Sequence, residues 1–265
     1  MSVSLASGPL LTVSMIGREL RALGVHEGDT VCAHVSLKSL GFVVGGARAV
    51  IEGLLWAVGE SGTLMMPTFS GDLSDPAEWR HPVVPETWFD RIRKEMPPYD
   101  ERRTPTRNIG VVPELFRNYP GVLRSSHPQS SFAAYGPKSA QLVADHPLDN
   151  RFGPNSPLGK FVELKGQVLL LGSGDDTASL FHLTQHLVGC SKPVIKAAPV
   201  IVDGAPAWVQ YHDVEYPIDW FVAGLASLVN ARLCVIGNVG AARAALFEAF
   251  QAVEFLVKWR RAQGV

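Results

Sequence analysis

Cysteine is scarce and poorly placed for cross-linking. The 265 residues include 3 cysteines, Cys32, Cys190 and Cys234, each inside an apolar run and far from the others. An odd, scattered set argues against a disulfide framework and against thiolate metal sites, and fits a reducing cytoplasm. Charge of one sign is missing too. Lys plus Arg number 24 against 25 Asp plus Glu, a formal net charge of -1, so no basic field broad enough for general nucleic-acid binding exists. No uncharged apolar run reaches the roughly 18 residues of a membrane span. The opening MSVSLASGPLLTVSMIGREL lacks the basic start and small-residue cleavage pattern of a signal peptide. These absences lead us to expect a soluble cytoplasmic protein with no nucleic-acid or membrane partner.

Internal repeats and low-complexity linkers are also lacking, while hydrophobic residues make up 46% and charged residues 18%, enough to fill a core. We expect one domain spanning 1–265. Its opening alternates: a helix over 14–23, the β-branched strand 30–35, a polar loop to Gly45 and Gly46, a helix over 47–58 and the short strand 62–67. That rhythm predicts an α/β domain with three layers and a central, mostly parallel sheet. Six prolines, with acidic residues such as Asp72 and Asp75, break the pattern across 71–110, so a long structured loop insertion with one helix near 86–94 is expected there. Further on we expect helices near 112–118 and 139–145, strands at 131–135 and 167–171, a hairpin turning at Asp203 and Gly204, and a closing C-terminal helix over 241–261.

Two loops follow strands and lead into helices, 36–46 and 172–179, the position where open sheets place ligands. The first offers Ser36, Lys38, Ser39 and Gly41, which suits a phosphorylated cofactor, although no glycine-rich fingerprint separates this from a plain connection. Of the eight histidines, His182 is the best base, just past Gly172-Ser-Gly-Asp-Asp176 at the start of a helix. His34 and His127 read equally as structural or functional. His186 lies one turn after His182, but H-L-T-Q-H lacks the glutamate of a zinc-protease helix, so no metal is expected. Gly172-Ser-Gly174 is not a hydrolase nucleophile elbow. Acidic residues gather around Asp72, at Asp175 and Asp176, and in 212–219; they are either solvated loops or a surface that draws a polycation.

Ordered segments along almost the whole chain resemble the aminoglycoside 3-N-acetyltransferase family: 28–41 (GDTVCAHVSLKSLG), 62–68 (GTLMMPT), 96–100 (MPPYD), 104–107 (TPTR), 120–128 (PGVLRSSHP), 131–134 (SFAA), 156–158 (SPL), 168–172 (VLLLG) and 180–182 (LFH). The resemblance implies acetyl-coenzyme A as donor and direct transfer to an amine of an aminoglycoside antibiotic, at its 3-amino group. By the same analogy His34, Ser36, Leu37, Lys38, Ser39 and Gly41, with Thr104, Thr106 and Arg107, would hold coenzyme A. Backbone N–H groups or hydroxyls such as Thr68 or Ser36 would steady the developing oxyanion. His182 matches the histidine of the family's L-H-x-A-E motif. Its carboxylate partner is expected at Glu215, with Asp213 in reserve. Asp72 and Asp175 would face the cationic acceptor. Gln185 stands where the family carries glutamate beside the acceptor, which weakens the attraction for a polycation. The resemblance therefore leaves other amines open, such as a nucleotide-linked amino sugar, as well as a binding protein without turnover. A homodimer stays open as its assembly.

Overall fold

A computed structural model describes residues 8–189 and 191–264, so Cys190 and the first seven residues of the opening segment lie outside the described residues. Strand β1 (Leu10–Leu11) leads into helix α1 (Val13–Leu23), which ends at Gly24, where φ is 124°. Strand β2 (Thr30–Val35) follows, then the short β3 (Phe42–Val43), which pairs with β1, and helix α2 (Gly46–Val58). Helices α1 and α2 lie close because a side chain on Gly17 would collide with Trp56, and one on Gly53 would stand 2.7 Å from Ile16. Strand β4 (Thr63–Pro67) completes the β-α-β unit. The insertion then carries α3 (Phe89–Glu95) and is followed by α4 (Val111–Phe116), β5 (Leu123–Arg124) and β6 (Phe132–Tyr135). Helices α5 (Ser139–Val143) and α6 (Pro157–Glu163), strand β7 (Gln167–Leu171) and helix α7 (Leu180–Val188) come next. A hairpin of β8 (Pro193–Val202) and β9 (Ala205–Val214) precedes α8 (Phe221–Asn230), β10 (Cys234–Val239), β11 (Ala242–Glu248) and α9 (Ala249–Ala262).

Seven strands form the central sheet in the order β10-β11-β7-β2-β4-β6-β5. Only β7 with β2 and β2 with β4 run parallel; the flanking pairings are antiparallel. The sheet is therefore mixed, with a parallel centre, where the rhythm of the first seventy residues had led us to expect mostly parallel pairing. Apolar residues cover both faces, as the α/β class requires. Val31, Ala33 and Val35 of β2 pack with Ile16, Leu54 and Phe116 on one face, while Cys32 packs with Phe161, Phe181, Phe221 and Leu256 on the other. His34 has the same parity as Cys32 and shares its face.

The expected closing helix over 241–261 is only half helix. Its first part is β11, wedged antiparallel between β10 and β7, because Ala-Arg-Ala-Ala-Leu-Phe-Glu is apolar enough for a strand buried on both faces and carries no period of its own. Glu248 then starts α9 by accepting the backbone N–H groups of Phe250 and Gln251 at 2.8 and 3.0 Å. The β8–β9 turn falls at Asp203 and Gly204 as expected, with both residues at positive φ, 49° and 81°, as the tight hairpin turn requires.

The insertion is pinned at several points. Arg93 holds Asp75 with two hydrogen bonds of 3.0 and 2.8 Å, and Ser70 donates its hydroxyl to Pro105 O at 2.7 Å. Buried Arg124 reaches across from β5 to the carbonyls of Thr68, Glu101 and Thr104. These contacts fold the insertion back over the end of the sheet and make it one wall of a cleft.

Candidate active site

The cleft has a volume of about 840 Å³. One wall comes from the insertion (Asp72, Glu78, Trp79, Arg80, Arg107), and the other from Arg151, Phe152, His182, Lys196 and Tyr216. Between them lie Gln129 and Ser130. Gln129 stitches the walls together: its amide N–H groups donate to Leu73 O at 2.9 Å and Ala197 O at 3.0 Å, and its oxygen takes the Tyr211 hydroxyl at 3.1 Å.

His182 sits in the first turn of α7, half-buried, with Phe152 stacked on its ring at 4.6 Å and 17° and Tyr216 edge-on at 5.2 Å. Its Nδ1 lies 3.0 Å from Gln185 Oε1. Gln185 is 1% exposed, and its Nε2 donates to Pro217 O. A carbonyl only accepts, so the Gln185 amide must turn its N–H to Pro217 and its oxygen to His182. Nδ1 then carries the proton, and Nε2 is the nitrogen with the free lone pair. Burial pulls the His182 pKa down to about 4; the Gln185 contact opposes this, while Arg151 and His34 add to it. The imidazole is neutral at pH 7.

The structure does not bring all of the expected residues together around His182. Glu215 is exposed and makes no side-chain contact with His182 among the described residues. It follows the last residue of β9, outside the strand that carries Asp213 inward. Asp213 is 5% exposed but pairs with Arg151, whose Nε lies 2.8 Å from its Oδ2. The hydrogen-bond partner of His182 is Gln185, buried behind the imidazole. Thr68 has no free face: it is fully buried, and its hydroxyl is engaged with Ser131 and Arg124. Asp175 is ion-paired with Arg243 and does not line the cleft.

Of the other expected residues, Asp72 and Arg107 line the cleft with His182. The Arg107 backbone N–H donates to Phe69 O at 2.7 Å, which leaves its side chain exposed. Thr104 and Thr106 have structural duties: Thr104 Oγ1 accepts the Asp100 N–H, and the Thr106 N–H donates to Glu114. Ser36, Leu37, Lys38, Ser39 and Gly41 form the turn after β2 and do not line the cleft. Ser39 ties that turn to Gly172 O at 2.8 Å; any side chain on Gly172 would stand 2.6 Å from Ser39 Cβ. His34 is 6% exposed, its Nε2 has no partner among the described residues, and burial lowers its pKa to about 4.

His127 proves structural. It is fully buried, and its Nδ1 accepts the N–H groups of Gln129 and Ser130, both at 3.1 Å, which shapes the turn that brings Gln129 into the cleft. The His146 ring lies tilted beside it, with centroids 4.9 Å apart, and holds Arg151 O at 2.8 Å. Arg151, Phe152, Tyr216 and Lys196 were not singled out from sequence, because an Arg-Phe pair in a polar loop and a Lys in a hairpin carry no local signal.

The fold and this cleft at the carboxyl ends of the parallel strands fit an acyltransferase of the antibiotic N-acetyltransferase type, and comparison with known proteins agrees. The family profile described as aminoglycoside 3-N-acetyltransferase matches residues 32–261. The chain is 42% identical over 249 residues to the SPbeta prophage-derived aminoglycoside N(3')-acetyltransferase-like protein YokD of Bacillus subtilis (strain 168), covering 94% of this chain and 92% of that one. It is 35% identical to aminoglycoside N(3)-acetyltransferase IX of Micromonospora chalcea, covering 99% and 98%. The crystal structure of YokD superposes with a TM-score of 0.93 over 96% of this chain and 94% of that one, at 41% identity. AAC-IIIb, solved as a binary complex with CoASH, superposes with a TM-score of 0.85 at 30% identity, covering 96% and 98%. The chain belongs to the aminoglycoside 3-N-acetyltransferase family.

Proposed function

We propose that this protein is an acetyl-coenzyme A-dependent N-acetyltransferase that transfers directly to an amino group of an amino sugar, with His182 as general base. The names of its relatives point to an aminoglycoside and its 3-amino group as acceptor. The observation that carries the reading is the relay from His182 through Gln185 to Pro217, which leaves His182 Nε2 unprotonated on the cleft wall.

The cleft fits the donor. Arg80 and Arg107 line it without an ion-pair partner among the described residues, as phosphate groups require, and the unpaired buried Nε2 of His34 lies at the end of the central strand. When bound, acetyl-coenzyme A supplies an activated acetyl group and a thiolate leaving group. An ammonium has no lone pair, so the acceptor nitrogen attacks the thioester carbon as the neutral amine. As the N–C bond forms and the thiolate leaves, the acidified N–H passes its proton to His182 Nε2, while Gln185 Oε1 retains the proton on Nδ1 and fixes the ring plane, and the Phe152 stack prevents the ring from turning away. Burial, with a smaller contribution from Arg151, keeps the resting imidazole neutral.

The test is thiol release from acetyl-coenzyme A with an aminoglycoside panel. His182→Ala is expected to lower kcat by about 10²- to 10⁴-fold while leaving coenzyme binding intact. Turnover within a few-fold of the unsubstituted protein would remove His182 from the reaction. Donor binding with no turnover on any amine would favour the binding-protein reading instead. The place of Arg151 beside His182 favours a second reading of the acceptor, argued next.

A further inference from the structure

We infer that the acceptor amine also carries an acidic group, a carboxylate or a phosphate, which Arg151 receives beside His182. This rests on the N-acetyltransferase reading and narrows its substrate.

Four cations line the cleft, Arg80, Arg107, Arg151 and Lys196, against two carboxylates, Asp72 and Glu78. Glu78 is already taken, its Oε2 lying 2.8 Å from Lys196 Nζ. Asp213, behind Arg151, is 5% exposed and offers nothing to a ligand. Asp72 is therefore the one lining carboxylate without an ion-pair partner among the described residues. The Lys196–Glu78 and Arg151–Asp213 pairs are each balanced, so Arg80, Arg107 and Asp72 are the lining charges without an ion-pair partner among the described residues.

Arg151 stands where the acceptor must lie. Its guanidinium sits over Tyr216 at 4.8 Å and Phe152 at 5.4 Å, and His182 packs on the same two rings. The side chain is 17% exposed, and its backbone is fixed by His146. Nε faces Asp213, while the two Nη groups make no hydrogen bond among the described residues. A guanidinium resting on two aromatic rings, with its outer donors free, is preorganised for the two parallel hydrogen bonds that a carboxylate or phosphate accepts. Arg80 and Arg107 remain for the phosphates of the coenzyme. Arg151, on the opposite wall next to the base, is left for the acceptor.

The experiment measures kcat/KM by thiol release for glucosamine, glucosamine 6-phosphate, muramic acid and the polycation sisomicin. It compares the unsubstituted protein with the double variant Arg151→Gln/Asp213→Asn, which neutralises both buried partners together and so strands neither charge. The phosphorylated or the carboxylated sugar is expected to exceed glucosamine by about 10- to 100-fold, and the double variant to bring that ratio within 3-fold of unity. Which of the two acidic sugars wins identifies the group. A ratio near unity in the unsubstituted protein, or sisomicin as the preferred acceptor, would overturn the inference and leave the N-acetyltransferase reading standing. Persistence of the ratio in a folded double variant would remove Arg151 from it. If that variant does not fold, the ratio in the unsubstituted protein still decides. Absence of thiol release with every amine would defeat both readings.

Discussion

Replacing Gln185 by glutamate separates the role found here from the one expected from sequence. As an acceptor contact, the new carboxylate would pair with an incoming ammonium. Buried behind His182, it acts on the imidazole instead. Two unit charges about 4 Å apart interact by roughly 4 kcal/mol at the effective dielectric of a partly buried site, and an opposite charge at this range moves a pKa by about 1 to 3 units. His182, held at about 4 by burial in the native protein, is expected to rise to roughly 5–7 in Gln185→Glu. A stronger base speeds proton removal, so kcat at alkaline pH should increase by about 3- to 30-fold. A new acid limb should enter the kcat/KM profile at the raised pKa, because below it the base is already protonated. Stability should move the other way. The carboxylate cannot donate to Pro217 O, and leaving that carbonyl unpaired costs about 1–3 kcal/mol, or roughly 2–10 °C in Tm for a chain of this size. The assays are a pH–rate profile, NMR titration of His182 and a thermal melt. A His182 that still titrates near 4 in the variant, with kcat within 2-fold, would refute the relay.

The remaining expectations follow from individual groups. Arg107→Ala should raise the KM for acetyl-coenzyme A by roughly 5-fold, with little change in the KM of the amine, if the exposed cation meets the donor as proposed; equal changes in both would place it elsewhere. Acid should weaken the fold in a defined window. His34 and His146 are pulled by burial from 6.5 to about 4, and His127 and His182 are shifted the same way. Above pH 6.5 folded and unfolded forms are both neutral and nothing changes. Below it the unfolded chain binds protons that the folded one refuses, so stability falls between pH 6.5 and 4, by about 3 kcal/mol for His34 and for His146. Urea unfolding from pH 7.5 to 4.5 measures this, and a flat profile would contradict it.

The parts of the fold that can be read from sequence are those where local chemistry and tertiary structure demand the same conformation. The β-α-β start through Pro67 is legible because β-branched strands, glycine stops and an apolar helix follow one another. Asp203-Gly204 is legible because few dipeptides suit two positive φ values. Residues 242–248 are not: the insertion of that strand between β10 and β7 is a tertiary event, and an alanine-rich apolar run suits either state. The site divides in the same way. His182 is marked by its place after a strand-end loop. Gln185 is legible as a departure from the family motif, but its role depends on Pro217, 32 residues away. Arg151 and Asp213 acquire meaning only because α6, β7 and α7 fold between them.

A neutral partner for the base shifts the chemical burden onto the acceptor. An imidazole whose conjugate acid has a pKa of about 4 cannot strip a ground-state ammonium. It can take the proton only as the nitrogen bonds to carbon and turns acidic, so the amine must arrive already neutral. An acceptor whose amine has a lowered pKa relieves that demand, and a nearby guanidinium lowers it through space. The same guanidinium is already balanced by Asp213 at 2.8 Å, and its free Nη groups favour an acceptor that also offers an anion. Gln185 and Arg151 are therefore coupled choices. With glutamate behind the histidine, the site gains a stronger base and has less need of a cation beside it. With glutamine, a cation next to the base helps deliver a neutral amine, and an acidic group on the acceptor lets the substrate sit against that cation without penalty.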